Sequence, residues 1–229
     1  MKFKYETHCH TSEVSKCSRI SGTAITEFYK SKGYTGIVIT DHFNDSTTTP
    51  PHYKWKDKVD HFFTGFNAAL EAGKKLDLDV FFSLEYNDMG NHFLFYGIGR
   101  DFLLENPDLL TIGMTKVLQR VRDAGGFIIH AHPFVEVFWC DSIRLVPRLV
   151  DAVEVERGHT TPEELDMARR AMWYADEYKL LKTGSSDRHS SDAKNLTGIA
   201  LEHRATDIMD LVAQIKAGKY EIFKAVNND

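Results

Sequence analysis

Several features that mark common classes of protein are scarce or missing in this sequence. Its 229 residues include only three cysteines, Cys9, Cys17 and Cys140, and no two of them have C-x-x-C spacing. This pattern implies no disulfide framework and fits a reducing compartment. No apolar run approaches the ~20 residues that a membrane span needs, and the N-terminus lacks the apolar core of a signal peptide. We therefore expect a cytoplasmic protein with no membrane association.

An excess of positive charge is also missing. The formal net charge is −5 with histidine counted as neutral, which argues against non-specific binding to nucleic acid or acidic membranes, because such binding needs a basic surface. Hydrophobic residues make up 42% of the chain and charged residues 27%, so general disorder is excluded. What the sequence has in quantity is histidine, with 11 residues.

Apolar runs rich in β-branched and aromatic residues alternate along the chain with longer helical patterns. The patterns predict strands at residues 3–7, 35–40, 79–84, 92–97, 127–131, 152–155, 180–183 and 220–223. They predict helices at residues 23–32, 58–76, 112–124, 142–149, 162–178 and 208–217. This alternation is typical of parallel βα units, and an α/β barrel usually fills ~200–250 residues as one unit. The sequence thus predicts a single α/β domain of about seven βα units, a TIM-like barrel, over residues 1–229.

Side chains that can bind metals lie at or just after the ends of the predicted strands. They are His8, His10, Asp41, His42, Glu85, His92, His130, His132, Glu154, Glu156, Asp187 and His189. The C-terminal strand ends of a parallel barrel meet on one face, where active sites form. Residues two apart in a strand point to the same side, as in three pairs here: His8 with His10, His130 with His132, and Asp187 with His189.

Imidazole and carboxylate ligands together suit Zn²⁺, Mn²⁺ or Fe²⁺. The ligands in this series are too numerous for one tetrahedral ion, so we expect two or three divalent ions. We expect the remaining histidines to be surface or hydrogen-bonded residues without a role in the site: His52, His61, His159 and His203.

Six sequence blocks follow one another in an order that is known from one enzyme family. They are HxHT at residues 8–11, TDH at residues 40–42, Glu85 after an apolar strand, His92 in HFLFYG, AHP at residues 131–133 and GSSDxH at residues 184–189. This series resembles the PHP (polymerase and histidinol phosphatase) family of metal-dependent phosphoesterases. The resemblance implies a distorted (βα)7 barrel with a two- or three-metal centre at the C-terminal strand ends.

Position by position, the resemblance also implies which residues would bind each ion. The first ion would be held by His8, His10, Glu85 and Asp187. Glu85 would bridge to a second ion, which His92 and His132 would also bind. A third ion would be held by His42 and His189. His130 is then either a residue that supports these ligands or a packed strand residue.

The sequence departs from the family's pattern where many members carry a further histidine before the first helix. Cys17 or Arg19 stands at that place, depending on the alignment. Cys17 as a thiolate, or Glu13 as a carboxylate, would complete the third site, whereas Arg19 would bind substrate phosphate. Cys17 as a buried thiol is the alternative. Where members often carry asparagine, this chain has Arg157, which is either a contact to an anionic substrate or a surface salt bridge.

The resemblance implies hydrolysis of a small phosphorylated metabolite by metal-activated hydroxide, without a covalent intermediate. Histidinol phosphate is one substrate that the family allows. Asp187 or His189 would carry the proton, and protonated His42 or His189 would assist the leaving group. Four cationic side chains are candidates to bind the phosphate: Lys16, Arg19, Arg157 and Arg188.

Three other functions are open at this stage. One is a phosphodiesterase or exonuclease acting on nucleotides or nucleic-acid ends, although the net negative charge favours a small substrate over a stable nucleic-acid complex. Another is a metal-binding regulatory module without turnover, which the complete ligand series disfavours. The last is hydrolysis of a C–N bond, as in barrel amidohydrolases, although no lysine stands at a strand end to join two ions. The sequence makes no prediction of oligomeric state.

Overall fold

The computed structural model describes residues 2–43, 47–136, 140, 142–191 and 195–224, and in these residues eleven strands and seven helices follow one another. The strands are β1 (Phe3–Cys9), β2 (Gly36–Ile39), β3 (His42–Phe43), β4 (Asp79–Phe82), β5 (Glu85–Asp88), β6 (Asn91–Tyr96), β7 (Phe127–Ala131), β8 (Ala152–Glu156), β9 (Leu181–Gly184), β10 (Thr197–Leu201) and β11 (Tyr220–Lys224). The helices are α1 (Gly22–Ser31), α2 (Trp55–Phe62), α3 (Thr64–Leu76), α4 (Arg100–Glu105), α5 (Met114–Asp123), α6 (Pro162–Tyr178) and α7 (Ile208–Lys216).

The strands form two sheets whose parallel strands end on the same side. The first sheet has the order β11-β10-β1-β2-β4, and the second has the order β3-β5-β6-β7-β8-β9. Strands β1, β2 and β4 are parallel neighbours, as are β7, β8 and β9. The short strands β3 and β5 follow β2 and β4 almost directly and are parallel to each other. The α/β class is therefore confirmed.

The expectation of purely parallel βα units is wrong in two places. Strand β6 is antiparallel to both β5 and β7, and β10 is antiparallel to both β1 and β11. A two-residue turn, Met89-Gly90, joins β5 to β6 with positive φ at both residues, which is the geometry of a tight hairpin. Three short strands, β3, β5 and β10, and the short helix α4 were not predicted from the sequence; they have two to six residues each.

Local sequence signals account for the N-terminal starts of two helices that were predicted well. Helix α6 begins at Pro162 after Thr161, whose hydroxyl accepts from the Glu164 N–H while the Glu164 carboxylate accepts from the Thr161 N–H. This reciprocal capping fixes the first turn. Asp207 caps α7 in a similar way by accepting from the Met209 and Asp210 N–H groups. Among the described residues, no helix combines the length and apolar character needed to cross a bilayer.

The helix predicted at residues 58–76 is two helices, α2 and α3. Helix α2 starts earlier, at Trp55, and the chain turns at Phe63, whose ring stacks on Phe82 with ring centroids 4.3 Å apart. Beyond this turn α3 crosses α1 closely, because a Cβ atom on Gly22 would lie 2.3 Å from the Gly65 carbonyl oxygen. Packing of the ring and the close crossing thus override the continuous helical pattern.

The helix predicted at residues 142–149 is wrong. This stretch has no regular secondary structure up to a turn at residues 147–149, and residue 141 is outside the described part of the chain. The Arg144 N–H donates to Asn91 Oδ1 at 2.8 Å, and its guanidinium donates to Asp88 Oδ2 at 2.9 Å. The Arg144 backbone N–H is therefore bonded to a side chain of the β5–β6 hairpin and not to a carbonyl group within a helix.

Candidate metal centre

Seven side chains of types that can bind metals, contributed by six strands, meet at one edge of the sheets. His8 lies in β1 and His10 directly follows it, while His42 and Glu85 begin the neighbouring strands β3 and β5. His132 and Asp187 follow the parallel strands β7 and β9. His92 stands near the start of β6, and it reaches the same edge because β6 runs antiparallel, pairing His92 with Ala131. The convergence that strand ends predict is therefore present in the structure.

Together with His189, which also follows β9, these side chains form four overlapping groups in which all the potential ligand atoms lie within 4.8 Å of one another. The groups are His8-His10-Glu85, His8-His132-Asp187, Glu85-His92-His132 and His10-His42-His189. They include every residue that the sequence analysis assigned to the three ions without reservation. The last group differs from the predicted third site, because it contains His10 in addition to His42 and His189.

The distances between ligand atoms fit divalent ions. His8 Nε2 lies 3.3 Å from Glu85 Oε1 and 3.4 Å from Asp187 Oδ1, and His10 Nε2 lies 3.3 Å from Asp187 Oδ1. Ligands held about 2.1 Å from one tetrahedral ion are about 3.4 Å apart. Several of the converging atoms are also buried without a hydrogen-bond partner: His8 Nε2, His10 Nε2, His92 Nε2 and Asp187 Oδ1. Buried polar atoms are rarely left so, and a set of lone pairs at this spacing is suited to bind cations.

Hydrogen bonds at the far nitrogen of three imidazoles direct their Nε2 lone pairs into the cluster. His189 Nδ1 lies 2.9 Å from the Asp187 carbonyl oxygen, which can only accept, so Nδ1 carries the proton. His8 Nδ1 lies 3.1 Å from the Glu154 carboxylate. His10 Nδ1 lies 3.3 Å from Ser15 Oγ, whose own proton goes to Asp41 at 2.7 Å. Such contacts fix the tautomer and orientation of metal-binding histidines.

The Glu85 carboxylate stands at the centre of the cluster. Its oxygens lie 2.5 Å from His42 Nδ1, 2.8 Å from His92 Nδ1 and 3.2 Å from His132 Nε2, in addition to the contacts with the β1 histidines. Burial alone would raise the pKa of Glu85, but the surrounding imidazoles hold it well below its usual range. A buried, ionised carboxylate shared by two ligand groups is the kind of residue that bridges two ions.

Two of the clustered residues have backbone conformations that are unusual for residues with a Cβ atom. His132 has φ 28° and Asp187 has φ 47°. Non-glycine residues seldom adopt positive φ unless the surroundings impose it. At Asp187 the imposing group is Glu6, whose buried carboxylate accepts from the Ser186 N–H at 3.0 Å and the Tyr29 hydroxyl at 2.7 Å. Among the described residues, two of the six non-glycine residues with positive φ therefore lie where side chains turn into the cluster.

Several residues that support the ligands through hydrogen bonds were marked only weakly by the sequence pattern, or not at all. Asp41 stood in the TDH block but had no assigned role, and it accepts from the Thr11 N–H and hydroxyl at 2.7 and 2.6 Å. Glu154 stood at a strand end, and besides His8 it accepts from the His132 N–H at 3.1 Å and from the Ser185 hydroxyl. Strand-end position signalled these two residues, whereas no pattern distinguished Glu6 or Ser15.

The two uncertain ligands of the third ion have different positions. The Cys17 side chain is exposed, so the alternative of a buried thiol is wrong. Partial desolvation raises the pKa of the thiol, but its interactions with the His189 and His42 imidazoles lower it to about 6. Cys17 therefore lies beside the His10-His42-His189 group. The Glu13 carboxylate instead accepts from the Gly22 N–H at 3.0 Å, at the start of α1. Neither Cys17 nor Glu13 belongs to the four ligand groups. Only Cys17 interacts with imidazoles of these groups, so the assignment of Glu13 as a ligand is not supported.

The three predicted phosphate-binding arginines are also separated by the fold. Arg157 lies at the cluster, where its Nη1 donates to Asp187 Oδ2 at 2.8 Å. Arg19 is exposed, and its backbone N–H donates to the His189 carbonyl oxygen at 2.8 Å. Arg188 is buried, and its guanidinium carbon lies 5.7 Å from the Phe28 ring centroid, against α1. Arg188 is therefore not retained as a phosphate-binding residue.

His130 packs inside the protein and does not join the ligands. Its ring stacks on Phe93 with centroids 4.6 Å apart and meets Tyr174 edge-on at 5.7 Å. Burial, with smaller effects from His132 and His92, lowers its pKa to about 3. The shared orientation expected for His130 and His132 fails because His132 lies beyond the end of β7 with positive φ. Of the two alternatives for His130, strand packing is the one observed.

The comparisons with known proteins found similar structures but no similar sequences. No protein-family model matches the sequence, and no curated protein does. A solved two-domain protein from Bacteroides vulgatus, assigned as containing a PHP-like metal-dependent phosphoesterase, superimposes with a TM-score of 0.71 at 16% identity. The alignment covers 97% of this chain and 65% of that one, so this chain spans about two thirds of its length.

Two further solved structures have the same fold over most of both chains. A protein from Bifidobacterium adolescentis assigned as a metal-dependent phosphoesterase gives a TM-score of 0.55 at 16% identity, covering 93% of this chain and 96% of that one. An amidohydrolase from Chromobacterium violaceum, with bound sulfate and no metal, gives 0.56 at 13% identity, covering 98% and 99%. The resemblance to PHP-like proteins inferred from the sequence blocks is thereby confirmed at the level of the fold.

Proposed function

We propose that this protein is a cytoplasmic metal-dependent phosphoesterase that hydrolyses a phosphate monoester of a small molecule. The observation that carries the proposal is the convergence of four ligand groups in which several buried nitrogen and oxygen atoms lack hydrogen-bond partners. The assignment of the Bacteroides and Bifidobacterium proteins as metal-dependent phosphoesterases supports the reaction class. The net charge of −5 supports a small substrate, since an extended nucleic acid needs a basic track.

The same contacts support an assignment of ligands to two or three ions. His8, His10, Glu85 and Asp187 would hold one ion, and Glu85 would share a second with His92 and His132. His42 and His189 would hold a third, with Cys17 as a thiolate and His10 at its border. When bound, such ions lower the pKa of water, polarise phosphoryl oxygens and neutralise charge on the attacking and leaving oxygens.

The chain's own residues would bind the phosphoryl group and move protons. Water adds to phosphorus, the bond from phosphorus to the leaving oxygen breaks, and that oxygen takes a proton. Arg157 supports phosphate binding because its guanidinium is held at the cluster by Asp187. His189 is the more exposed of the two proposed proton donors, with 29% of its side chain accessible against 11% for His42, so it is better placed to meet a departing group.

We also propose that the two sheets are halves of one distorted (βα)7 barrel in a single domain. At one seam the Glu85 N–H donates to the Asp41 carbonyl oxygen at 3.0 Å, where β2 and β4 pass into β3 and β5. At the other seam Cys9 bridges to Arg188, and the Thr7 hydroxyl donates to the Gly184 carbonyl oxygen at 2.9 Å. These contacts support a ring of strands that closes between β1 and β9.

Metal content tests the proposed centre directly. Elemental analysis of protein purified without added metal should find at least two divalent ions per chain. The variants His8→Ala and Asp187→Asn should contain fewer ions, because each removes a buried ligand atom. His203→Ala, which changes an exposed histidine outside the ligand groups, is the matched control and should keep the full content. Zero or one ion in the unchanged protein would contradict a multinuclear centre.

A substrate panel tests the reaction class. Protein loaded with its native metal should hydrolyse aryl phosphate monoesters, and His8→Ala or Asp187→Asn should abolish this activity while the far-ultraviolet circular dichroism spectrum is retained. Preferential cleavage of diesters would favour the phosphodiesterase alternative. Cleavage of amides alone would favour the chemistry of the Chromobacterium protein. Tight metal binding without any turnover would favour a regulatory metal-binding module.

A further inference from the structure

A second cavity lies beside the metal centre and is not part of it. Its volume is about 330 Å³, within the range of small-molecule sites. The residues that line it are Lys16, Phe43, Thr47, Thr49, Pro51, Trp55, Lys58, Phe62 and Leu110. Its walls combine aromatic rings with two lysines, and no described lining residue is acidic.

Three links join this cavity to the metal centre. Phe43 directly follows His42 in β3, and Lys16 directly precedes Cys17. Thr47 forms a β-bridge with Ser15, the residue that contacts His10 Nδ1. Successive side chains of a strand point to opposite faces, so the Phe43 ring and the His42 imidazole lie on the two sides of β3, which is an edge strand of its sheet. The cavity and the proposed third ion are therefore neighbours across the thickness of this edge strand.

The aromatic wall is rigid and built mainly from one face of α2. Trp55, Lys58 and Phe62 are spaced three and four residues apart and therefore share that face. The Trp55 indole N–H donates to the Leu103 carbonyl oxygen at 2.7 Å, which fixes the ring. Phe43 meets Trp55 and Phe62 edge-on, with centroids 5.9 and 5.0 Å apart. A wall held in this way is shaped to receive a flat apolar group.

We propose that this cavity, named the Trp55 cavity, binds the leaving group of the substrate, and that this group is an aromatic or heteroaromatic ring with a second anionic substituent. The ring would pack against Trp55 and Phe43 while the phosphate ester reaches the ions. Lys58 would attract the second anion, as cations on apolar walls do. The inference rests on the proposed phosphoesterase function for its substrate, but the cavity's ligand preference is measurable without turnover.

Steady-state kinetics on the metal-loaded protein test the preference. 4-Carboxyphenyl phosphate should have a higher kcat/KM than phenyl phosphate, and both should exceed glycerol phosphate. Lys58→Met should reduce the ratio of the first two values about fivefold, which is the size expected for loss of one partly exposed charge pair. Lys54→Met, which changes an exposed lysine outside the cavity, should keep the ratio. An unchanged ratio in Lys58→Met would overturn the proposal.

Equilibrium binding separates this proposal from the phosphoesterase function. 4-Hydroxybenzoate, which has the ring and the anion but no phosphate, should quench the indole fluorescence more strongly than phenol does. Trp55→Phe should remove the quenching, and Lys58→Met should weaken the binding. If no phosphate ester is hydrolysed but this Lys58-dependent binding is found, the proposed function fails and the cavity assignment stands. If esters are hydrolysed but 4-hydroxybenzoate binds no better than phenol, the cavity assignment fails alone.

Discussion

The Glu154 carboxylate lies 3.1 Å from Nδ1 of His8, and both side chains are fully buried, with at most 1% of either accessible. An ionised carboxylate there can only accept, so the proton stays on Nδ1 and the Nε2 lone pair faces Asp187 and Glu85. Glu154 is thus a positioning residue for the metal centre rather than a ligand. Its second contact, to the His132 N–H at 3.1 Å, places a further ligand from β7.

The variant Glu154→Gln should therefore weaken metal binding about 10- to 100-fold, the usual effect of losing a partner of a metal-binding histidine. A chelator competition titration would measure the change. Glu156→Gln alters the same strand without a contact to His8, so it is the matched control and should retain the affinity. Equal affinities for Glu154→Gln and the unchanged protein would show that Glu154 does not orient His8.

Cys17 should give the third ion a sulfur ligand. Its exposed thiol interacts with the His189 and His42 imidazoles, which outweigh partial desolvation and lower its pKa to about 6, so the thiolate is available near neutral pH. Protein loaded with Co²⁺ should show a near-ultraviolet sulfur-to-cobalt charge-transfer band, and Cys17→Ser should lose it. Cys140→Ser changes a partly buried cysteine whose thiol donates a hydrogen bond to the Ser142 carbonyl oxygen, and this variant should keep the band. If the charge-transfer band is absent from the unchanged protein, Cys17 is not a ligand.

The parts of the fold that could be predicted are those in which local signals and packing agree. Helix α6 matches residues 162–178 because a proline, a capping threonine and Glu164 all mark its start. Strand β7 matches residues 127–131 because a short apolar run is fully buried. The continuous helical pattern at residues 58–76 failed because it cannot report the turn at Phe63 against Phe82, a contact between residues distant in sequence.

The site could be located from the sequence for a similar reason. Strand ends meet at one edge of a parallel sheet, so His8, His42 and Glu85 could be grouped before any contact was known. Antiparallel pairing was not foreseen, yet His92 reaches the same edge from the start of β6. Residues that act through hydrogen bonds, such as Ser15 and Glu6, lack a distinctive type or spacing, and only the three-dimensional contacts identify them.

Gly65 should couple the packing of α3 to the metal centre. A Cβ atom at this position would lie 1.9 Å from Thr11 Oγ1 and 3.0 Å from Asp41 Oδ2. Gly65→Ala should therefore displace the pair of residues that supports Ser15 and His10, and destabilise the fold by about 1–3 kcal/mol, as overpacking does. Thermal unfolding and metal titration would measure both effects, and we expect a lower melting temperature together with weaker metal binding.

Gly99→Ala is the matched control for this substitution. Gly99 has φ −140° and a Cβ atom there would meet nothing within 4 Å. The control should change the free energy of unfolding by less than about 0.5 kcal/mol. If Gly65→Ala were equally neutral, the Thr11–Asp41 pair would have to be more adaptable than its two hydrogen bonds indicate.

Glu156 should contribute an acid-sensitive part of the stability. Although burial raises its pKa, His159, Lys224 and the Gly158 N–H together lower it from 4.5 to about 2. A carboxylate whose pKa is lower in the folded state stabilises the protein fully above pH 4.5, and this contribution is lost as the pH falls from 4.5 towards 2. Glu156→Gln keeps an acceptor oxygen for the Gly158 N–H but removes the charge that titrates.

Urea unfolding of the metal-free protein at several pH values measures this contribution. The free energy of unfolding should be about 1–2 kcal/mol lower in Glu156→Gln than in the unchanged protein at pH 6, a size consistent with a charge that is only partly exposed. The difference should shrink steadily below pH 4.5, because protonation removes the same charge from the unchanged protein. Glu163→Gln, in the first turn of α6 where the side chain is exposed, should show a smaller difference. A gap between Glu156→Gln and the unchanged protein that stays constant from pH 6 to pH 3 would mean that Glu156 acts through its hydrogen bonds and not through its charge.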